Sequence, residues 1–334
     1  MKQIYYTAAL KWILIGCMTG LICMLQTQSL FAQLDSTLVI YEHRSSYTSD
    51  VYANGLGMSG VTLAHSTASM YSNPATLSFL RRPRSITFDH YYDASNAVRY
   101  VNFSSLLINT HRQTFALGLS LRNSGYRGLE KGLGFFSRVP SDIRFHQMDI
   151  TMGYSMLVLS NLSIGALFQV SDGTIKRTTL PKSHETTASV GFGLFYSPTP
   201  AIEYGIALNG IGNNLEYVDD YSTQKINVVQ RHQTLALGIS MHYPYTSLYS
   251  RPYVNLSASN EKIFGIKGIW YKAGLEVLPI HQIGLRTGYI YSPNFQGFTV
   301  GFGINFRSLH LDYALSPKAN SLHQFQQFSI SVII

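Results

Sequence analysis

The chain has 334 residues, 46% of them apolar and only 13% charged, with a mean hydropathy of +0.05. That balance excludes an intrinsically disordered chain. Past the N-terminus no apolar run approaches the ~20 residues of a spanning helix, which argues against a helical membrane protein. The formal charge is +8. Lys and Arg are scattered singly apart from Arg81, Arg82 and Arg84; this pattern speaks against a nucleic-acid surface and for attraction to anionic lipid headgroups.

Residues 1–32 read as a cleaved signal peptide. Lys2 and Lys11 form the basic end, Trp12 to Leu25 the apolar stretch, and Leu30-Phe31-Ala32 the cleavage site before Gln33. Leu14-Ile15-Gly16-Cys17 has the look of a lipoprotein signal, but Lys11 leaves only five apolar residues ahead of Cys17. Both cysteines, Cys17 and Cys23, fall in the leader, so the mature chain has no disulfide and no thiol chemistry. Its charge falls to +6 once Lys2 and Lys11 are removed.

Residues 33–85 form a separate segment. Asn54-Gly55-Leu56-Gly57-Met58-Ser59-Gly60 is a flexible, turn-forming run, and Val61 to Tyr71 predicts a short helix. Asn73 is a good N-cap and Pro74 suits the first helical position, so Asn73-Pro74-Ala75 starts a second helix reaching Leu80. Gly55, Gly57 and Gly60 also spell the dinucleotide fingerprint. That site needs a βαβ unit and a ribose-binding acid; the remaining chain has no alternating helices, so no cofactor is expected.

From residue 86 to the end, segments of 8 to 13 residues alternate apolar and small or polar side chains, as in Phe298-Val300-Phe302-Ile304-Phe306 against Thr299, Gly301, Gly303 and Asn305. Strand side chains alternate faces, so each segment has one apolar face. Segments this long suit tilted membrane-spanning strands of ~9–11 residues better than soluble strands of ~5–6. Tyrosines near segment ends (Tyr91, Tyr196, Tyr243, Tyr291 among them) suit an interfacial girdle. Fourteen segments are predicted, from Ile86–Tyr92 to Phe325–Ile334. The reading is an all-β transmembrane antiparallel barrel over residues 86–334 with both termini on the periplasmic side. Ser124–Phe145, Gly173–Glu185 and Asn213–Gln230 read as long loops, and Asn109-Thr110-His111, Ser160-Asn161 and Pro279-Ile280 as short links.

Residues 55–79 (GLGMSGVTLAHSTASMYSNPATLSF) and the closing strands carry a family resemblance. In the latter, Gly274-Leu275-Glu276, Leu285-Arg286-Thr287-Gly288-Tyr289, Gly301-Phe302-Gly303 and Asp312-Tyr313-Ala314 stand out. The chain resembles the FadL-like outer-membrane proteins, most closely the PorV/PorQ branch linked to type IX secretion. The resemblance implies that the N-terminal segment is a helical plug inside the barrel, with Gly55, Gly57, Gly60, Asn73, Pro74 and Ala75 as its motif. Glycines on the inward face (Gly118, Gly191, Gly193, Gly238, Gly301, Gly303) fit close approach by a second backbone, or strand curvature alone.

Lys272, Glu276, Arg286, Arg307 and Asp312 alternate with lipid-facing residues, which directs them into the lumen. Mid-membrane on the lipid face, an Arg or Lys would cost ~2–4 kcal/mol. A polar wall supporting the plug and an ordinary channel lining both account for them. No metal spacing, nucleophile elbow or phosphate loop is present, so no enzyme is expected. The PorV/PorQ resemblance implies a non-enzymatic accessory of type IX secretion, partnered by secretion components or cargo. The wider FadL resemblance implies a passive transporter of small hydrophobic molecules. Either protein lives among outer-membrane lipids.

Overall fold

The computed structural model describes residues 50–80, 85–93, 98–110, 112–127, 142–177, 183–212, 215–218, 225–229, 233–243, 254–265, 267–280, 282–293, 295–318 and 321–333. The expected signal peptide and the first part of the expected plug lie outside these residues. The strands are β1 (Ser85–Asp93), β2 (Val98–Asn109), β3 (Gln113–Arg127), β4 (Asp142–Leu159), β5 (Leu162–Arg177), β6 (Ser183–Thr199), β7 (Ile202–Gly212) and β8 (Leu215–Val218). They continue with β9 (Lys225–Val229), β10 (Thr234–Tyr243), β11 (Val254–Ile263), β12 (Trp270–Ile280), β13 (Ile283–Ser292), β14 (Phe295–Phe306), β15 (Leu309–Lys318) and β16 (Ser321–Ile333).

Fourteen of them close into one antiparallel barrel, with β8 and β9 pairing apart as a hairpin. The fourteen match the fourteen predicted segments in order. Closure runs through β1 and β16, from Ser85↔Ile333 to Tyr92↔Gln326. With no free edge, every strand finds its backbone partners within the sheet, as a lipid-embedded sheet requires. The outer face is apolar: Ile150, Phe168, Phe192, Leu237, Leu285 and Phe298 are all exposed. The inner face is small and polar: Ser104, Ser120, Thr151, Ser171, Ser240 and Thr299 are buried. This inversion of the soluble pattern is what a membrane-spanning barrel needs. Tyr196 and Tyr204 stack on the outer face with ring centroids 6.4 Å apart, and Tyr243 lies exposed at the end of β10.

Both ends of the sheet lie on one rim, where Ser85 meets Ile333. All but one of the links on that rim are short, such as Ser160-Asn161, Pro200-Ala201 and Arg307-Ser308. The two longest connections, β3 to β4 and β7 to β10, leave the opposite rim. Barrels usually carry short turns on the periplasmic side and long loops outside; on that asymmetry the rim with the termini is the expected periplasmic one and the other the expected outer one. Two loop boundaries need correction. β3 and β4 run to Arg127 and from Asp142, and β5 and β6 run to Arg177 and from Ser183, inside the predicted loops. Their length, 18 residues for β4, exceeds the ~9–11 that cross a bilayer, so this side of the wall rises above the apolar band. The third predicted loop contains the β8–β9 hairpin, whose segments are too short to signal by alternation.

Candidate functional site

Residues 50–80 lie inside the barrel. Here the structure departs from the two predicted helices. The first turn, α1 (Val51–Gly55), is an α-helix, capped by Asp50, whose carboxylate accepts from the N–H of Tyr52 and Ala53. The supposedly flexible glycine run therefore starts inside a helix. Val61 to Tyr71 is not one helix but two 3₁₀ turns, Gly60–Thr62 and Thr67–Tyr71. Its serines explain the break. The Ser66 hydroxyl accepts from the Ala68 N–H, and that of Ser69 donates to the Ser66 carbonyl, offering the backbone alternatives to helical bonds. The third turn, Pro74–Phe79, is also 3₁₀, begun by Asn73 and Pro74 as expected.

The motif residues dock this backbone onto the wall. Asn73 accepts from the Ala75 N–H and donates to the carbonyls of Val61 (2.8 Å) and of Leu194 on β6 (3.1 Å). The Ala75 carbonyl accepts from Ser163 on β5 at 2.7 Å and from Ser155 on β4 at 3.0 Å. Gly55 and Gly57 enclose Thr299 on β14, which accepts from the Gly57 N–H (2.9 Å) and donates to the Gly55 carbonyl (3.1 Å). Gly57 has φ +67°, the left-handed region, and a Cβ there would strike the Ala273 carbonyl. At Gly60 a Cβ would lie 2.7 Å from the Ser72 hydroxyl, inside the plug itself.

Of the six inward glycines, Gly118, Gly193, Gly238 and Gly301 face the plug, at Tyr71, Asn73, Val61 and Gly55. Gly191 and Gly303 face wall side chains instead, Asn209 and Arg286. Gly165 on β5, outside those six, also faces the plug. A Cβ there would lie 2.5 Å from the carbonyl carbon of Pro74. Its partners Ser155 and Ser163 are mute in sequence, because a lumen serine looks alike whether it holds water or a plug.

The predicted lumen charges divide. Lys272, Glu276, Arg286 and Asp312 are buried on the inner face. Arg286 on β13 donates through Nε to Glu276 on β12 (3.0 Å) and through Nη1 to Asp312 on β15 (2.8 Å). To reach Asp312 it must cross β14, and Gly303 leaves that room, since a Cβ there would lie 2.7 Å from Asp312 Oδ1. The plug joins this network through Tyr52, whose hydroxyl donates to Glu276 Oε2 at 2.5 Å and whose ring carries the Arg286 guanidinium 4.0 Å from its centroid. His65 stacks on Tyr52 at 3.8 Å and pairs with Asp312 at 3.4 Å. Tyr52 and His65 carried no signal in the sequence, being polar residues in a segment without periodicity. Lys272 pairs with Glu261 on β11, away from Arg286. Arg307 is corrected: it sits exposed in the β14–β15 turn with φ +47°, because β14 and its alternation end at Phe306.

Parts of the inner surface are apolar. Met58 of the plug, with φ +61°, packs with Ile263, Trp270 and Ile290 of β11, β12 and β13 into a buried cluster. All three wall residues lie toward the outer rim. A second cluster joins plug residues Met70, Leu77 and Leu80 to Leu106, Ala116 and Leu167 of the wall.

No protein-family model and no curated protein matches this sequence. Solved structures do match the fold. The toluene transporter TodX of P. putida superposes with a TM-score of 0.61 at 13% identity, over 84% of this chain and 97% of that one. A Pseudomonas aeruginosa FadL homologue gives 0.60 at 14% identity, over 84% and 97%. The Ralstonia pickettii toluene transporter TbuX gives 0.57 at 13%, over 84% and 96%. The chain therefore has the fold of FadL-like barrels.

Proposed function

We propose that this chain is a non-enzymatic outer-membrane channel for small hydrophobic molecules, exported by a cleaved signal peptide and closed in this conformation by its own plug. The observation that carries the reading is the Met58, Ile263, Trp270 and Ile290 cluster. It puts apolar side chains on the lumen face toward the rim from which an external solute would enter, whereas the other apolar cluster, around Met70 and Leu106, lies nearer the opposite rim. Apolar binding surfaces with few polar groups are what hydrophobic solutes select. The solved structures of like fold include toluene transporters and a monoaromatic hydrocarbon channel.

A second reading, the PorV/PorQ-type accessory of type IX secretion, draws on one observation. The closing-strand motifs that carry that resemblance supply Glu276, Arg286 and Asp312, and these hold the plug shut. A barrel that receives exported protein at its surface has no need of an open lumen.

One experiment separates the two. Ser59 of the plug and Ser257 of β11 have hydroxyl oxygens 2.5 Å apart, so the double variant Ser59→Cys/Ser257→Cys brings two thiols within reach of a disulfide. In cells expressing it, uptake of labelled toluene should fall to the level of cells without the barrel under oxidation and recover on reduction. Equal uptake in both states removes the channel reading. If type IX cargo also accumulates in the periplasm when the gene is deleted, and the locked barrel restores export, the accessory reading takes its place.

A further inference from the structure

The basic balance of the chain has a location. In the sequence, the segments that join strand ends at the expected periplasmic rim, with the four residues ahead of β1, carry Arg81, Arg82, Arg84, Arg112, Arg251 and Arg307 and no Asp or Glu; of these, Arg112 and Arg307 are among the described residues. The sequence of the segments joining the opposite strand ends is mixed: Lys131, Arg138, Lys182, Lys225, Arg231 and Lys267 are interspersed with Glu130, Glu216, Asp219 and Asp220. Among the described residues near the periplasmic ends of the strands and outside the lumen, the carboxylate is Glu203, and it is already paired with His242 at 3.1 Å.

The two described arginines of this rim sit where the apolar band ends. Arg307 is exposed, and its guanidinium lies 5.8 Å from the centroid of the Phe306 ring, itself 64% exposed on the outer face. Arg112 is exposed in the β2–β3 link, just past the exposed Leu107 and Ile108 at the end of β2. A cation next to an outward aromatic or aliphatic side chain at the edge of such a band lies at headgroup depth. There it meets phosphate rather than water alone.

We infer that the periplasmic rim is a binding surface for anionic phospholipid headgroups of the inner leaflet, with Arg112 and Arg307 as contacts to lipid phosphate. The surface pins the barrel's height in the membrane at the end where the chain enters and leaves it. This inference is independent of what passes through the lumen. A guanidinium suits it better than an ammonium, because it can donate to two phosphate oxygens in one plane. Among the described residues the one carboxylate outside the lumen near this rim is Glu203, held by His242, which leaves Arg112 and Arg307 for a lipid.

The test uses the whole folded barrel in detergent, titrated with phosphatidylglycerol and, separately, with phosphatidylcholine, and read by native mass spectrometry of bound lipid. The wild type should prefer phosphatidylglycerol, and the preference should fall as salt rises. Arg112→Gln/Arg307→Gln should lose about fivefold of that preference for each arginine removed, while Arg112→Lys/Arg307→Lys keeps most of it. The heat-dependent gel mobility of a folded barrel, measured on each variant, shows that any loss is not misfolding. Equal binding of the two lipids by the wild type overturns the inference, as does a glutamine variant with undiminished preference. Competition by soluble acidic cell-wall peptides that displaces all the phosphatidylglycerol also overturns it, since the rim would then be a peptide site.

Discussion

Arg286 shows how single residues act in this protein. It is buried between Glu276 and Asp312 with the Tyr52 ring against it. Removing one member of a buried charge cluster is costly because the others keep their desolvation penalty and lose their compensation, about 3–5 kcal/mol in comparable cases. In Arg286→Ala two carboxylates would face each other across the gap, and the contact with Tyr52 would be lost. The plug should loosen before the barrel does, because the strands keep their own backbone ladder. Limited proteolysis of the folded protein should then cut within residues 50–80 many times faster than in the wild type. Unchanged cutting would make the network a mere lining of the channel. Lysine at 286 restores the charge but not the two-sided reach, so Arg286→Lys should fall between.

At the scale of elements, the plug is a set of single turns and not a helical domain. α1 and the three 3₁₀ turns are each too short to be stable alone. Side chains of the wall complete their hydrogen bonding: Thr299 at Gly55 and Gly57, Ser155 and Ser163 at Ala75, and Asn209 at Ser72 (3.0 Å). The wall makes way for this backbone where it lacks side chains. Gly165→Val tests that fit. The added carbons meet the Pro74–Ala75 backbone, and overpacking of this kind costs about 1–3 kcal/mol. The variant should fold as a barrel but conduct ions in a planar bilayer more often than the wild type. A wild-type conductance record would show that the plug yields easily at this point.

For the molecule as a whole, closure of the sheet does not depend on the plug. The pairing from β1 round to β16 is complete without residues 50–80, since each strand bonds to its two neighbours. A chain lacking residues 50–80 should therefore still insert, resist heat in detergent and run as a folded barrel, now as an open pore of steady conductance. Failure to fold would mean that the buried wall charges need the plug's polar groups to be tolerated. The taller wall of β3 to β6 belongs to this scale too. It is built by strands that continue past the apolar band, where water can satisfy their outer face.

The barrel was legible in the sequence because membrane immersion imposes a period of two on every strand, apolar toward lipid and small or polar toward the lumen. Fourteen strands, their order along the chain and the inward course of Lys272, Glu276, Arg286 and Asp312 all follow from that period. Asn73-Pro74 was legible for another reason: capping is local chemistry. What lay beyond the sequence was everything decided by contact between distant segments. The 3₁₀ course of the plug depends on hydroxyls that bond in place of helical carbonyls. The partnership of Tyr52 and His65 with Arg286 depends on a backbone with no periodicity. Arg307 kept the composition of a lumen residue but fell one position past the end of β14, where alternation no longer applies. Sequence alone determined which face of each strand meets lipid. Only the closed structure decided what the other face holds, because that depends on which strands the barrel brings round the plug.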